Sequence, residues 1–295
     1  MAPSERGAGL DVGVDLLAWF ELNGRSLPWR ESRDPWAVLV SELMLQQTQV
    51  SRVIDRWPRF LRRFPDVASC AGAPVAEVIT EWAGLGYNRR AVNLHRTARI
   101  LVADHGGRFP AALSDLLALP GVGPYTARAI RVFASETDDA VLDTNVARIL
   151  ARAEGRALGR AEAQRLADAA VPAGQGWVWN QALLDVGAGH CTARDPRCDG
   201  CPLAPSCRWY LDGRPDPDPA TGSAGVSGPQ SRFAGSDRQG RGRLVAALRA
   251  GPVPVTDLPA VVGWPDDPDR AARVAHGVVR DGLAVLDGST YALPR

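Results

Sequence analysis

A mainly α-helical fold with a small module at its C-terminal end is what this 295-residue sequence predicts. Three observations carry that expectation. From about residue 10 to 210 apolar side chains recur at helical spacing, and no strict alternation competes with them. The 23 prolines and 30 glycines punctuate the periodic stretches, as helix ends require. Composition then shifts at "RPDPDPATGSAGVSGPQS", residues 214–231, which reads as a linker to a separate unit.

Taken in order, the helical stretches are "DVGVDLLAWFELN" (11–23), "WAVLVSELMLQQTQVSRVIDRWPRFLRRF" (36–64), "VAEVITEWAGL" (75–85), "RRAVNLHRTARILVADH" (89–105) and "LSDLLAL" (113–119). They continue with "YTARAIRVFAS" (125–135), "DTNVARILARAEG" (143–155), "RAEAQRLADAAV" (160–171) and "WNQALLDVGAGH" (179–190). Beyond the linker, "GRGRLVAALRAG", "VTDLPAVVG" and "DPDRAARVAHGVVRDG" suit three helices, and "LAVL-DGS-TYAL" suits two short strands about an Asp-Gly turn. Three helices and a terminal hairpin suggest a winged-helix-like module over 232–295.

Composition excludes several classes. No apolar run approaches a membrane span, and "MAPSERGAGLDVGVD" lacks the apolar core of a secretory peptide, so a cytoplasmic, nucleoid-associated location is expected. Reduced thiols in that compartment favour metal binding over disulfides. All 34 basic residues are arginine. Without lysine, no lysine-dependent covalent mechanism is open.

Four of the five cysteines fall in "CTARDPRCDGCPLAPSC", at Cys191, Cys198, Cys201 and Cys207. Four thiolates can complete a tetrahedral zinc site or a [4Fe–4S] cube. Zinc sites usually divide their ligands between two knuckles, whereas one short loop after a helix suits a compact cube. Cys70 stands apart and reads as a small buried residue.

"LALPGVGPYTARAI" ends one helix, turns through Gly121, Val122 and Gly123, and starts another. Glycines there admit a close approach of the backbone, and the helix start offers unpaired N–H groups to phosphate. Such contacts let a chain of net charge +1 bind a polyanion. Asp143, in "VLDTNVARIL", reads as a helix N-cap, where a carboxylate stays ionised at low cost. Glu42, beside Leu43, Met44 and Leu45, reads as a carboxyl whose apolar setting keeps it protonated.

The cysteine spacing after "NQALLDVGA", the Leu-Pro-Gly-Val-Gly turn and the two carboxylates together resemble the endonuclease III superfamily of helix–hairpin–helix DNA glycosylases, over roughly residues 25–210. Within it, "LPWR", "SELMLQQT", "GLGYNRRAVNLH" and "NQALLDVGAGHC" look most like the MutY-type branch. The resemblance implies a helix–hairpin–helix glycosylase fold, a helical barrel plus an iron–sulfur cluster domain. It sets a core at 1–213, with barrel and hairpin over about 27–132 and the cluster domain formed by 9–26 with 133–213.

The implied chemistry is hydrolysis of an N-glycosidic bond. A purine leaves poorly as an anion, so Glu42 is expected to protonate the base while ionised Asp143 stabilises positive charge on the sugar, as paired carboxylates do in sugar hydrolysis. Asn145 is expected to orient that sugar. Lyase-active relatives carry lysine where this chain has Tyr125, which implies a monofunctional enzyme. Carried over from the branch, Arg30 and Gln181 contact the edges of an extruded adenine, and Gln47 and Tyr87 fill the stack and meet the base left behind. The implied partner is duplex DNA with an A·8-oxoguanine or A·G mispair, bound by a monomer, and the implied cofactor is a [4Fe–4S] cluster. One departure stands out, because residues 232–295 look too short for the Nudix-like domain by which the branch recognises 8-oxoguanine. The rival readings are a thymine glycosylase acting on G·T and a non-catalytic, cluster-bearing DNA-binding or redox protein. Tail arginines Arg232, Arg238, Arg241 and Arg243 are candidates for further phosphate contacts.

Overall fold

The computed structural model describes residues 13–224 and 232–295. Positions 9–12 of the expected cluster domain and 225–231 of the expected linker lie outside the described residues. In chain order the helices are α1 (Gly13–Asn23), α2 (Pro35–Leu45), α3 (Val50–Arg63), α4 (Val67–Gly72), α5 (Val75–Glu81), α6 (Arg89–His105) and α7 (Leu113–Leu117). There follow α8 (Pro124–Ser135), α9 (Thr144–Glu154), α10 (Arg160–Ala170), α11 (Gly176–Gly189) and α12 (Arg208–Leu211). The C-terminal module holds α13 (Asp237–Ala250), β1 (Val253–Pro254), α14 (Leu258–Val262), α15 (Pro268–Arg280), β2 (Val285–Asp287) and β3 (Thr290–Ala292). None of the described helices is long and apolar enough to cross a membrane.

Local chemistry accounts for several of these ends. Asp66 and Ser69 form a reciprocal capping box at the start of α4, a helix too short for periodicity to reveal. Asp267 caps α15, with Pro268 at its first turn. Gly106 and Gly155 close α6 and α9 in the left-handed conformation. The expected single stretch 36–64 is two helices, because Gln47 has φ +54 and cannot continue α2. The hairpin β2–β3 forms about Gly288, at φ +57, and β1 adds a third antiparallel strand in the order β1-β3-β2. Two residues of β1 are too few to show alternation in sequence.

Contacts divide the chain into two units. The first comprises residues 13–35 and 124–224. There α9 packs against α10, α11 and α12, and α1 against α11. The core between them includes Leu16, Leu142, Ile149, Leu150, Trp179, Leu183 and Leu203.

The second unit comprises residues 36–123 and 232–295. In α2 every residue from Trp36 to Met44 is buried. Strongly amphipathic α3 turns Val53, Trp57 and Phe60 inward, and Phe60 meets Trp82 edge-on at 5.9 Å. The buried indoles find acceptors: Trp36 Nε1 donates to Phe64 O and Trp57 Nε1 to Ala37 O, both at 2.9 Å. Within the C-terminal module α13, α14 and α15 pack on one another around Leu244, Leu248, Val262, Val274 and Val278.

Candidate active site and cysteine pocket

In the second unit Glu42 sits on all-buried α2 and is 6% exposed itself. Gln47 and Tyr87 stand in two separate loops, both exposed and both at positive φ, +54 and +44. Non-glycine residues hold that conformation only where their surroundings impose it. Both loops are braced by Arg90, a buried residue that sequence reading passed over. Its guanidinium donates to the carbonyls of Leu43 and Met44 at the end of α2, of Gln46 in the loop that follows and of Leu85 and Gly86 in the other loop, and to Thr48 Oγ1, at 2.5–3.1 Å. It also lies 5.4 Å from the Trp82 ring centre and 5.6 Å from that of Tyr87. Burial pushes this guanidinium down to about 10, so it remains charged at neutral pH.

The turn after α7 carries Gly121 at φ +79, and a Cβ there would stand 2.9 Å from Asn93 Cβ on α6. Glycine is therefore required at 121. At Gly123 a Cβ would meet nothing within 4 Å, so that backbone faces open space. Val122, between them, is buried and donates its N–H to Leu119 O at 3.1 Å. Tyr125 is half-buried in the first turn of α8.

In the first unit Asp143 caps α9, accepting from Val146 N at 2.8 Å on one oxygen and Asn145 Nδ2 at 2.9 Å on the other. Burial raises the carboxyl above its usual value, and those hydrogen bonds and nearby Arg148 only partly offset it. The cap does not keep Asp143 ionised at low cost, as its position in sequence had suggested, because desolvation is the larger effect. Asn145 is itself held by Arg148 Nη2 at 2.7 Å, and Arg148 also donates to Gly187 O and Cys191 O. Gly187 has a steric reason: a Cβ there would be 2.5 Å from Asn145 Cβ.

Arg30 is 9% exposed and forms a bidentate fork with Asp185, at 2.9 and 2.6 Å. Burial would raise the Asp185 carboxyl, but Arg30 and Arg25 outweigh it and hold it below the usual value. The fork leaves Arg30 Nε buried and without a partner among the described residues. Gln181 on α11 is 5% exposed.

Cys191, Cys198, Cys201 and Cys207 all line one pocket with about 400 Å³ of empty space, partly open to solvent. Short 3₁₀ turns at Cys198–Gly200 and Ala204–Ser206 fold the loop around it. Arg152, 1% exposed, donates to Cys191 Sγ at 3.3 Å and Thr192 O at 2.7 Å, pairs with Asp218, and lies 4.8 Å from the Trp209 ring centre. Burial pushes the Cys201 thiol up to about 11, and Cys198 and Cys207 move the same way. Among the described residues no group of three or more His, Cys, Asp or Glu side chains is gathered closely enough to hold a metal ion. Cys70 lies elsewhere, fully buried, as expected.

Of the tail arginines, Arg241 pairs with Asp281 and Arg243 donates to Val262 O at 3.2 Å, so both tie the module together internally. Arg232 is exposed, and Arg238 lies 5.9 Å from the Phe233 ring centre.

Residues 40–169 match the HhH-GPD superfamily of base excision DNA repair proteins. The fold agrees, since a solved thermostable thymine-DNA glycosylase superposes with a TM-score of 0.64 at 29% identity, covering 68% of this chain and 95% of that one. The chain is 40% identical to an adenine DNA glycosylase of Mycobacterium tuberculosis H37Rv, across 99% of this chain and 96% of that protein. Similarity to the adenine DNA glycosylase of Mycolicibacterium smegmatis is also 40%, across 92% of this chain and 91% of the relative. This chain belongs to the HhH-GPD superfamily, in its MutY-type branch. The first of these alignments runs through the short C-terminal module.

Proposed function

We propose that the protein is a monofunctional base-excision glycosylase that removes adenine mispaired with 8-oxoguanine or guanine in duplex DNA. The observation that carries this reading is Gln181, 5% exposed on α11, whose amide pairs a donor with an acceptor as the N6 and N7 edge of adenine requires. Near full-length similarity to adenine DNA glycosylases supports the same base. Arg30 supplies at most its Nε–H to that edge, because its fork is committed to Asp185.

The chemistry follows from the two carboxyls. Glu42 delivers a proton to N7 as the bond to C1′ lengthens, so adenine departs neutral. Asp143, ionised, stabilises the oxocarbenium character left on the sugar until water adds at C1′. Asn145 holds the Asp143 carboxylate through its Nδ2–H, and Arg148 holds Asn145. Tyr125 provides no amine for a Schiff base, so the strand stays intact. Gln47 and Tyr87 meet the base opposite, and the backbone of the Gly121–Gly123 turn meets phosphate, with the Val122 N–H already committed to Leu119 O.

The four cysteines fit a [4Fe–4S] cluster better than zinc. All four line one pocket and come from a single short loop, whereas zinc sites usually divide their ligands between two knuckles. When bound, the cluster ties the loop together and can carry one electron. The C-terminal helices and three-stranded sheet are consistent with a winged-helix-like module.

Single-turnover base release from A·8-oxoguanine, A·G and T·G duplexes tests the reading. Adenine release from the first two, without strand cleavage before alkali, is expected. Glu42→Gln and Asp143→Asn should each lower it by at least about a hundredfold, as loss of acid catalysis or charge stabilisation does, while duplex binding persists. Preferential thymine release from T·G would overturn it.

A further inference from the structure

The C-terminal module reaches the loop that carries Tyr87 through one side chain. Arg249, in the last turn of α13, donates from Nε and Nη2 to Ile79 O at 3.1 and 3.0 Å, and from Nη2 to Asn88 Oδ1 at 3.0 Å. Ile79 lies in the last turn of α5, where carbonyls lack intrahelical partners and the helix dipole favours a cation. Asn88 is the N-cap of α6. An asparagine there ordinarily accepts from the helix's own N–H groups, yet Asn88 makes no such bond and turns its oxygen to Arg249. One guanidinium thus grips both ends of the 82–88 connection.

Tyr87 immediately precedes Asn88 and is held at φ +44. A second contact keeps the module in place. Asp281, following α15, pairs with Arg241 of the module and with Arg89 at 3.6 Å on α6. Gly282, at φ +74, lets the chain lie against the same helix, where a Cβ would stand 3.0 Å from Arg96 Nη2 and 3.3 Å from Val92 Cγ1.

We propose that Arg249 is a positioning residue for recognition of the base opposite adenine: the C-terminal module holds Tyr87 in its left-handed conformation and so sets the preference for 8-oxoguanine over guanine. This rests on the reading of Tyr87 as the residue that meets that base. Without Arg249, the Asn88 side chain loses its partner, and the residue before it loses a restraint that opposes its strain. Arg90 still holds the loop from within, so recognition weakens while the fold remains.

The test uses the full-length protein and the ratio of single-turnover adenine release between A·8-oxoguanine and A·G duplexes at subsaturating enzyme. Arg249→Ala should lower that ratio about tenfold, the effect of losing one charge-assisted hydrogen bond. Asn88→Ala should do the same, and the double variant should add little, since both remove one interaction. Asn88→Asp keeps the acceptor and should keep the ratio. A purely structural Arg249 would lower the melting temperature and slow both duplexes alike, leaving the ratio unchanged, and that result overturns the proposal. Should Arg249→Ala fail to fold, Asn88→Ala against Asn88→Asp decides by itself. Tyr87→Ala separates the two layers. If it leaves the ratio intact, the assignment of Tyr87 is wrong and the proposal falls with it. If it collapses the ratio while the Arg249 and Asn88 variants do not, only the positioning role is lost.

Discussion

Gly187→Ala sets two local effects against each other. The residue is inside α11, where alanine is favoured over glycine by about 1 kcal/mol. Against that, the added Cβ would stand 2.5 Å from Asn145 Cβ, some 0.9 Å short of the 3.4 Å at which ordinary contact begins. Asn145 Cα and Cγ are each 3.3 Å away, so no rotamer of Asn145 relieves the overlap and the backbones of α9 and α11 must part. Such overpacking costs about 1–3 kcal/mol, so packing outweighs propensity and the variant should be destabilised by up to about 2 kcal/mol. Function should suffer more. The displaced Asn145 is what holds Asp143 Oδ2, and Gly187 O is itself an acceptor for Arg148. If Asp143 acts as proposed, a shift approaching 1 Å there costs on the order of a hundredfold in rate. Urea unfolding and single-turnover adenine release on an A·G duplex measure the two effects. A variant that is more stable than the parent and equally fast would refute the reasoning.

Three further outcomes follow from the same geometry. Asn145→Ala removes a donor to Asp143, so its carboxyl should rise further above the usual value; with the ionised form as the one proposed to act, the acid limb of the rate profile should move to higher pH, and an unmoved limb would sink the Asp143 assignment. Arg30→Ala leaves Asp185 buried with only Arg25, costing about 3 kcal/mol in urea unfolding near neutral pH. Since the Asp185 carboxyl is held below its ordinary value, that stability is present above about pH 4 and lost as pH falls through the lower folded value, so the gap between parent and variant should close on acidification. Cys198→Ser should lower bound iron and the visible absorbance of the protein, and a colourless parent with stoichiometric zinc would overturn the cluster proposal.

What the sequence alone determined is what short-range chemistry encodes. Helical periodicity, the Gly121 turn, the capping aspartate at 143 and the cysteine spacing each occupy a stretch of at most a few turns, and each was legible there. The long periodic stretch at 36–64 was legible as helix but not as two, because the Gln46 carbonyl beside the break is held by Arg90, more than forty residues away. Asp143 was legible as a cap, yet the desolvation that raises its carboxyl comes from packing.

Only the tertiary structure decided the roles of Arg90, Arg148, Arg152 and Arg249. In a chain whose every basic residue is arginine, a buried guanidinium and a solvated one carry the same letter. Their acceptors are mostly backbone carbonyls, such as Met44 O, Gln46 O, Gly187 O and Ile79 O, which every residue possesses and which therefore leave no mark in sequence. Which carbonyl is orphaned, and which arginine lies within 3 Å of it, is settled by how helices end and pack. For that reason the residues proposed to act on DNA could be named from the sequence, while those that hold them in place could not.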